Sequence, residues 1–343
     1  MKSRHALAVW LSVTMLASAP ASADSVDEFY RGRSVRLIVG YEAGGGYDVY
    51  ARTLARHYGR HIPGAPAVVV ENMPGAGSVR ATNYINNVAP KDGTALALTS
   101  KSMAAYQLLG GKEARWDSTT ISWIGRMEGS NGIMYAWSGS GVRSIEDAKT
   151  KSVKAGSTGR STDSYIYPVL VNALLGTKFD VIVGYGAGSQ ALHLAMERGE
   201  IDARAGNTWA SLKSSNPAWV QEHKVHILFQ VGLTKEPDLP NVPLLGEFLS
   251  SPEDRKLLDV VALPTVIGYS FMAPPELPTQ TRVALRNGFQ AAMADPALHA
   301  DAGKQNLSLT PATGEEITAH VKHIAATPKH VIAKAADILG WSN

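Results

Sequence analysis

Three loops of this chain gather the residue types that an anion site needs. The first is Ala43-Gly44-Gly45-Gly46-Tyr47-Asp48, the second Gly156-Ser157-Thr158-Gly159-Arg160, and the third Tyr185-Gly186-Ala187-Gly188-Ser189. Glycines let backbone N–H groups come close to a bound group, and a helix starting behind each loop adds roughly half a positive charge. Glycine-rich turns also follow strands in dinucleotide-binding folds and in turns that bind nothing, so the first loop alone leaves both readings open. Arg160 and Arg204 stand in or beside these loops, and Arg80 stands near another. A guanidinium grips a carboxylate through two parallel hydrogen bonds, whereas the plain alternative for each arginine is a solvated surface position. Tyr185 and Trp209 offer an apolar wall, with a core role equally open.

Catalytic chemistry finds less support. A dinucleotide fingerprint needs a third glycine where Val49 follows Gly46 and where Arg80 follows Gly77. The serine elbow of hydrolases and a phosphate loop ending in glycine, lysine and a hydroxyl are both missing from the sequence. His57 and His61, and His320 and His323, fall on common helix faces but lack the acidic partner of a zinc protease motif, and read as solvated histidines. Asp48, Asp163 and Asp202 are positioned as general bases would be. Asp48 and Asp163 read better as residues that fix their loops, since aspartate is favoured at helix starts.

Positioning these loops requires a repeated strand, loop and helix. Val35 to Val39 is an apolar run ahead of the first loop, and Val49 to Tyr58 has helical spacing after it. Ala67 to Val70 is a second strand, ending in Glu71-Asn72-Met73-Pro74-Gly75-Ala76-Gly77 before a helix from about Ser78 to Val88. A third strand, Thr94 to Thr99, runs into Ser100-Lys101-Ser102. The pattern recurs with strands at Ser152 to Ala155 and Phe179 to Val183 and helices at Ser164 to Leu175 and Gln190 to Arg198. Such alternation predicts parallel sheets flanked by helices, with ligands outside the carboxyl ends of the strands. Val225 to Val231 and Val266 to Ala273 read as crossing segments, and Thr279 to Ala294 and Gly314 to Leu339 as helical.

The 343 residues begin with Lys2 and Arg4, an apolar stretch from Ala6 to Ala17, and Ala21-Ser22-Ala23, the small-x-small form of a signal-peptide cleavage site. Cleavage after Ala23 removes two of the positive charges behind the net +3, leaving no warrant for a nucleic-acid or membrane-surface partner. With no cysteine, disulfides, thiolate chemistry and a lipid-bearing cysteine are unavailable, and stability falls to core burial.

Taken in order along the chain, these pieces resemble the extracytoplasmic solute receptors of tripartite tricarboxylate transporters, the Bug family. The resemblance is carried by Val35 to Val39 with the 43 to 48 loop, Val68-Val69-Val70-Glu71-Asn72-Met73-Pro74-Gly75-Ala76-Gly77, and Ala89-Pro90-Lys91-Asp92-Gly93. Further along come Gly156-Ser157-Thr158-Gly159, Tyr185-Gly186-Ala187-Gly188, Gly199-Glu200-Ile201-Asp202 and Leu239-Pro240-Asn241-Val242-Pro243. It implies a type II periplasmic binding fold: an α/β protein of two lobes joined by crossing strands, residues 24–126 and 231–343 in one and 127–230 in the other, with a ligand cleft between them. It also implies a periplasmic, monomeric solute receptor without cofactor, metal or catalytic residue. Such a receptor would deliver a small carboxylate, di- or tricarboxylic or aromatic, to membrane permease subunits. The implied contacts are Ala43, Gly44, Gly45, Gly46, Tyr47 and Asp48 in the first loop, and Ser157, Thr158, Gly159 and Arg160 in the second lobe. Tyr185, Gly186 and Ala187 lie beside these, Gly75, Ala76 and Ser100 at the other strand ends, and Arg160 or Arg204 would balance charge. Departures from the family pattern are Gly40-Tyr41, Tyr47 and Arg204, which point to a bulkier, aromatic or more highly charged anion. A secreted enzyme using the same cleft, or a sensor docking to a membrane receptor, remain the alternatives.

Overall fold

The protein is described by a computed structural model covering residues 26–129, 131–186, 188–232 and 234–342. The signal-peptide reading and Ala187 lie outside the described residues. The strands are β1 (Ser34–Val39), β2 (Ala67–Asn72), β3 (Ala95–Leu98), β4 (Ser122–Arg126), β5 (Gly132–Trp137), β6 (Val153–Ser157), β7 (Phe179–Val183), β8 (Ala203–Thr208), β9 (Val225–Val231), β10 (Ser270–Ala273) and β11 (Ala312–Thr313). They form two sheets, one in the order β11-β4-β10-β3-β1-β2 and one in the order β7-β6-β8-β5-β9.

The parallel strands are where the alternation places them. β1 runs parallel to β2 and β3, with Leu37 opposite both Val70 and Leu96, and all four residues of β3 are buried. In the other sheet β6 is parallel to β7 and β8. The sheets are nevertheless mixed rather than parallel throughout. β10 is antiparallel to β3 and β4, and β5 is antiparallel to β8 and β9. The late strand β10 thus returns to the first sheet and separates β3 from β4. It comes back from the second sheet through helix Pro252–Ile267 and enters between its neighbours running the opposite way.

The reading of Val266 to Ala273 as one extended segment is corrected. Val266 and Ile267 end a helix, Pro252–Ile267, and only Ser270–Ala273 is strand. That helix buries Leu257, Val260, Val261, Leu263 and Ile267, and Pro264 stands inside its last turn. It packs against helices Met103–Leu108, Asp163–Leu175, Gly314–Ala325 and Lys329–Leu339. One buried cluster therefore takes in Ile38 and Ala97 of the first sheet and Met134 and Ala155 of the second, with Leu257 and Trp341 between them. Each fully buried side chain of this kind contributes about 1.5–3 kcal/mol, so the two sheets are fastened on one side by apolar packing.

His57 and His61 are hydrogen-bonded to carboxylates instead of being free surface groups. His57 Nε2 lies 2.9 Å from Asp301, which also accepts from Arg56, and His61 Nε2 lies 2.9 Å from Asp295, which also accepts from Arg60. Among the described residues no His, Asp and Glu cluster is arranged to hold a metal ion. Hydrogen bonds from Arg56 and then His57 bring the Asp301 carboxyl down to about 2, and Arg60 followed by His61 holds Asp295 well below the usual carboxylate range. Both folded-state values are depressed. Their stabilisation is therefore complete above the unfolded carboxylate pKa of ~3.9 and is lost as pH falls towards 2. Urea midpoints measured from pH 6 down to pH 2.5 should fall steeply below about pH 4, and the Asp295→Asn, Asp301→Asn double variant should show a shallower decline. An identical decline would assign acid lability elsewhere.

Candidate functional site

The first loop is fixed from beneath by Asp48. This buried carboxylate accepts from the Gly44 N–H, Arg52 Nε and Asn72 Nδ2, each at 2.9 Å, in the first turn of helix Gly46–Tyr58. Burial raises its pKa, but the bonds from Arg52, Gly44 and Asn72 outweigh that and leave it lowered. Asp48 is thus committed to the loop and does not line the cleft above it. Gly45 and Gly46 do line the cleft, as the N-cap and first residue of the helix, whose first-turn N–H groups have no carbonyl partner within it. A Cβ at Gly46 would come within 2.7 Å of the Tyr269 hydroxyl, so a larger residue there would have to displace that tyrosine.

Aromatic side chains form the rest of this wall. The Tyr47 ring lies 4.6 Å from that of Tyr41 and 4.8 Å from that of Tyr269, which stacks in turn on Tyr50 at 4.1 Å. Tyr47 Oη accepts from the Lys101 N–H at 3.0 Å, tying the first loop to the end of β3. Ser100, Lys101 and Ser102 complete this side.

The opposite wall comes from the second sheet. Thr158, Thr162, Asp163 and Ser164 line it after β6, Gly188 and Ser189 after β7, and Arg204 and Gly206 on β8. Gly206 has φ +80°, and a Cβ there would meet the Ser164 nitrogen at 2.7 Å. Arg204 is only 3% exposed. Its Nη atoms reach the Ser189 carbonyl and hydroxyl at 3.4 Å, its Nε has no hydrogen-bond partner, and its guanidinium lies 5.9 Å from the Tyr135 ring. Behind it, burial and then the charge of Arg204 push the His193 imidazole down to about 2, so a neutral ring stands there, 3.1 Å from Tyr135 Oη. Helix Ser189–Glu197 begins at this corner with no acidic residue in its first turn. The corner therefore concentrates positive potential, and among the described residues no carboxylate is ion-paired with Arg204.

The walls touch across the cleft. Asp163 Oδ1 accepts from Ser102 Oγ, its N–H donates to the same oxygen at 3.1 Å, and its Oδ2 lies 3.3 Å from Lys101 Nζ. Ser161 Oγ donates to the Ala76 carbonyl at 3.0 Å. These contacts leave a cavity of about 50 Å³, room for a few water-sized groups. Burial raises the Asp163 carboxyl, against the opposing pull of Lys101 and Ser102.

Of the residues anticipated from sequence, the cleft gathers Gly45, Gly46, Tyr47, Ser100, Thr158 and Arg204. Ala43 and Gly44 are exposed beyond its rim, and Gly75 and Ala76 are exposed on the lobe edge. Ser157 is buried beneath it, bonded to the Ser164 hydroxyl at 3.1 Å, and Gly159 N–H returns to Ser157 Oγ. The Thr158 N–H is itself donated to Ser164 Oγ, so it is occupied within the loop. Arg160 points away, its guanidinium 5.7 Å from the Tyr165 ring, beside a separate surface cavity with Lys112 and Trp341. Tyr185 and Gly186 stand outside the lining. Lys101, Ser102, Asp163 and Ser164 were not anticipated as contacts, and Gly188 was anticipated only as part of its loop. Glycine and hydroxyl content marked their loops, but nothing in the spacing showed that Lys101 and Asp163 would meet.

Three comparisons bear on this geometry. Residues 51–335 match the family described as "Tripartite tricarboxylate transporter family receptor". A curated relative, the "UPF0065 protein in gbd 5'region" of Cupriavidus necator, is 28% identical over 255 residues, spanning 71% of this chain and 72% of the relative. Among solved structures, the periplasmic binding protein BugD is similar with a TM-score of 0.67 at 20% identity, covering 91% of this chain and 98% of BugD. An R. palustris protein solved with adipate has a TM-score of 0.67 at 17% identity, covering 89% of this chain and 98% of its own. At these identities the two structures establish the shared two-lobed periplasmic binding fold. By the extent of the family match, the chain belongs to the tripartite tricarboxylate transporter family receptors, which bind solutes and are not enzymes.

Proposed function

We propose that this receptor works in the periplasm, encloses a small carboxylate between its lobes and hands it to the permease subunits of a tripartite transporter. The observation that carries the ligand class is Arg204. A buried guanidinium with no protein carboxylate in ion-pair range among the described residues is costly unless a ligand supplies the counter-charge. Ser189 and the first turn of its helix, with the N–H groups at Gly45 and Gly46 opposite, supply further donors of the kind a carboxylate accepts. A similar fold solved with adipate is in keeping with this reading. Closure is a hinge motion of the lobes in which Asp163 meets Lys101 and Ser102, and no step of it requires a reaction. Export with cleavage after Ala23 and action as a monomer belong to the same proposal. Among the described residues no helix is long and apolar enough to cross a membrane.

The test is thermal unfolding of the mature protein, stripped of carried-over ligand, against mono-, di- and tricarboxylic and aromatic acids. A ligand at about 100 times its dissociation constant should add ~2.7 kcal/mol of stability. A selective rise with one acid supports the reading, and no rise with any acid contradicts it.

A further inference from the structure

We infer that the cleft is built for a ligand carrying a single carboxylate, because the protein has already neutralised one of its two buried cations. This rests on the carboxylate reading above and narrows it. The charged side chains lining the cleft are Glu42, Lys101, Asp163 and Arg204. Lys101 and Asp163 are 5% and 2% exposed and face each other across the cleft at 3.3 Å. Asp163 is held in place by Ser102, whose hydroxyl both donates to its carboxylate and accepts its N–H. Lys101 is positioned by its backbone, whose N–H is bound to Tyr47 Oη. The pair belongs to the protein.

Arg204 is the cation left over. It points at Ser189, where a nine-residue helix begins without an acidic residue in its first turn, and its neighbour His193 adds no negative charge. One carboxylate satisfies this corner. A second on the same ligand, even one reaching the N–H groups at Gly45 and Gly46 opposite, would find no further unpaired cation in the lining and would lie with Asp163 within the cleft or near the exposed Glu42 at its mouth, both anionic. Near Asp163 like charges would meet in a space that excludes most water, where their repulsion is poorly screened, and near Glu42 the repulsion is weaker but of the same sign. Tyr41 and Tyr47, packed together in the lining, offer apolar surface to an uncharged remainder of the ligand instead. The cavity volume of about 50 Å³ favours the smaller member of any such pair.

The experiment is calorimetric titration of the full mature protein with acids matched in carbon skeleton: butanoate against succinate, hexanoate against adipate, and benzoate against terephthalate. The monocarboxylate should bind at least about tenfold more tightly in whichever pair binds best, about 1.4 kcal/mol. Asp163→Asn frees the Lys101 charge and should shift that ratio by about tenfold or more towards the dicarboxylate. A dicarboxylate that binds wild type as tightly as its partner, or more so, overturns the inference while leaving the carboxylate reading intact. An unchanged ratio in a folded Asp163→Asn protein overturns it too. If that variant does not fold, the wild-type ratio decides alone. If no acid of any pair binds, the carboxylate reading fails and takes this inference with it.

Discussion

Arg204→Ala should lower carboxylate affinity by about 10- to 150-fold, the equivalent of ~1.5–3 kcal/mol for a hydrogen bond to a charged group. The guanidinium is buried, unopposed by a protein carboxylate among the described residues, and held by two long contacts to Ser189 and by the neighbouring Tyr135. Its effect on the unliganded protein should run the other way. Removing a buried charge with no counter-ion relieves a desolvation cost, so Arg204→Met, which keeps most of the volume, should unfold at the same temperature as wild type or higher. Titration calorimetry and thermal unfolding on the same two variants separate the roles. Weaker binding with undiminished stability marks a ligand contact, whereas unchanged binding with lost stability would make Arg204 a structural residue.

Asp48→Ala should have the largest effect on stability, about 2–3 kcal/mol, because it leaves the Gly44 N–H and the Asn72 amide without the acceptor they share. The same change releases Arg52, but that side chain is 44% exposed and regains water, so little of the cost comes from it. Binding should weaken as well, since Gly45 and Gly46 line the cleft only while the Gly44 turn is held down. Asp48→Asn retains an acceptor and should lie between wild type and alanine. Urea unfolding measures this directly, and a loss below about 0.5 kcal/mol would mean that the loop holds its shape without the carboxylate.

Both residues were visible in the sequence, for different reasons. Asp48 was recognisable as a loop-fixing aspartate because it follows a glycine triplet at a helix start, and the structure gives it that role. Arg204 was noticed as a cation beside a strand start. Its burial, and its freedom from an acidic partner, depend on Tyr135 across the sheet and Ser189 on a neighbouring helix. Arg160 shows the limit of reading loops. It belongs to the right loop, yet its side chain turns outward to Tyr165, and no periodicity exists in a loop to say which residues face inward. The Lys101 and Asp163 pair joins two lobes across 62 positions, a separation at which spacing carries no signal. Helix Pro252–Ile267 was hidden for another reason. Its charged residues, Glu253 to Lys256 and Asp259, fall in its first half, while Val260 to Ile267 is almost wholly apolar and contains Pro264, so no single polar face runs along it to mark a helix.

The alternating strands and helices were the most legible part of the fold. β1, β3, β6 and β7 fall close to where the apolar runs place them: β3 is buried throughout, and the other three keep short apolar runs although Arg36, Lys154 and Asp180 interrupt them. Strand direction was not legible in the same way. The antiparallel entry of β4, β5 and β10 depends on where the chain passes from one sheet to the other, which is a property of the whole topology.

The most direct test of an anion-binding cleft compares one acid with its own primary amide. The two have nearly the same shape and differ in charge, so any difference reports what the cleft does with the carboxylate. Using the acid that most raises the unfolding temperature, titration calorimetry should give measurable affinity for the acid and at least about 100-fold weaker binding of the amide, a difference of ~2.7 kcal/mol. Arg204→Ala should shrink that difference. Equal affinity for acid and amide would contradict the account, because a cleft indifferent to charge has no use for a buried arginine facing its ligand.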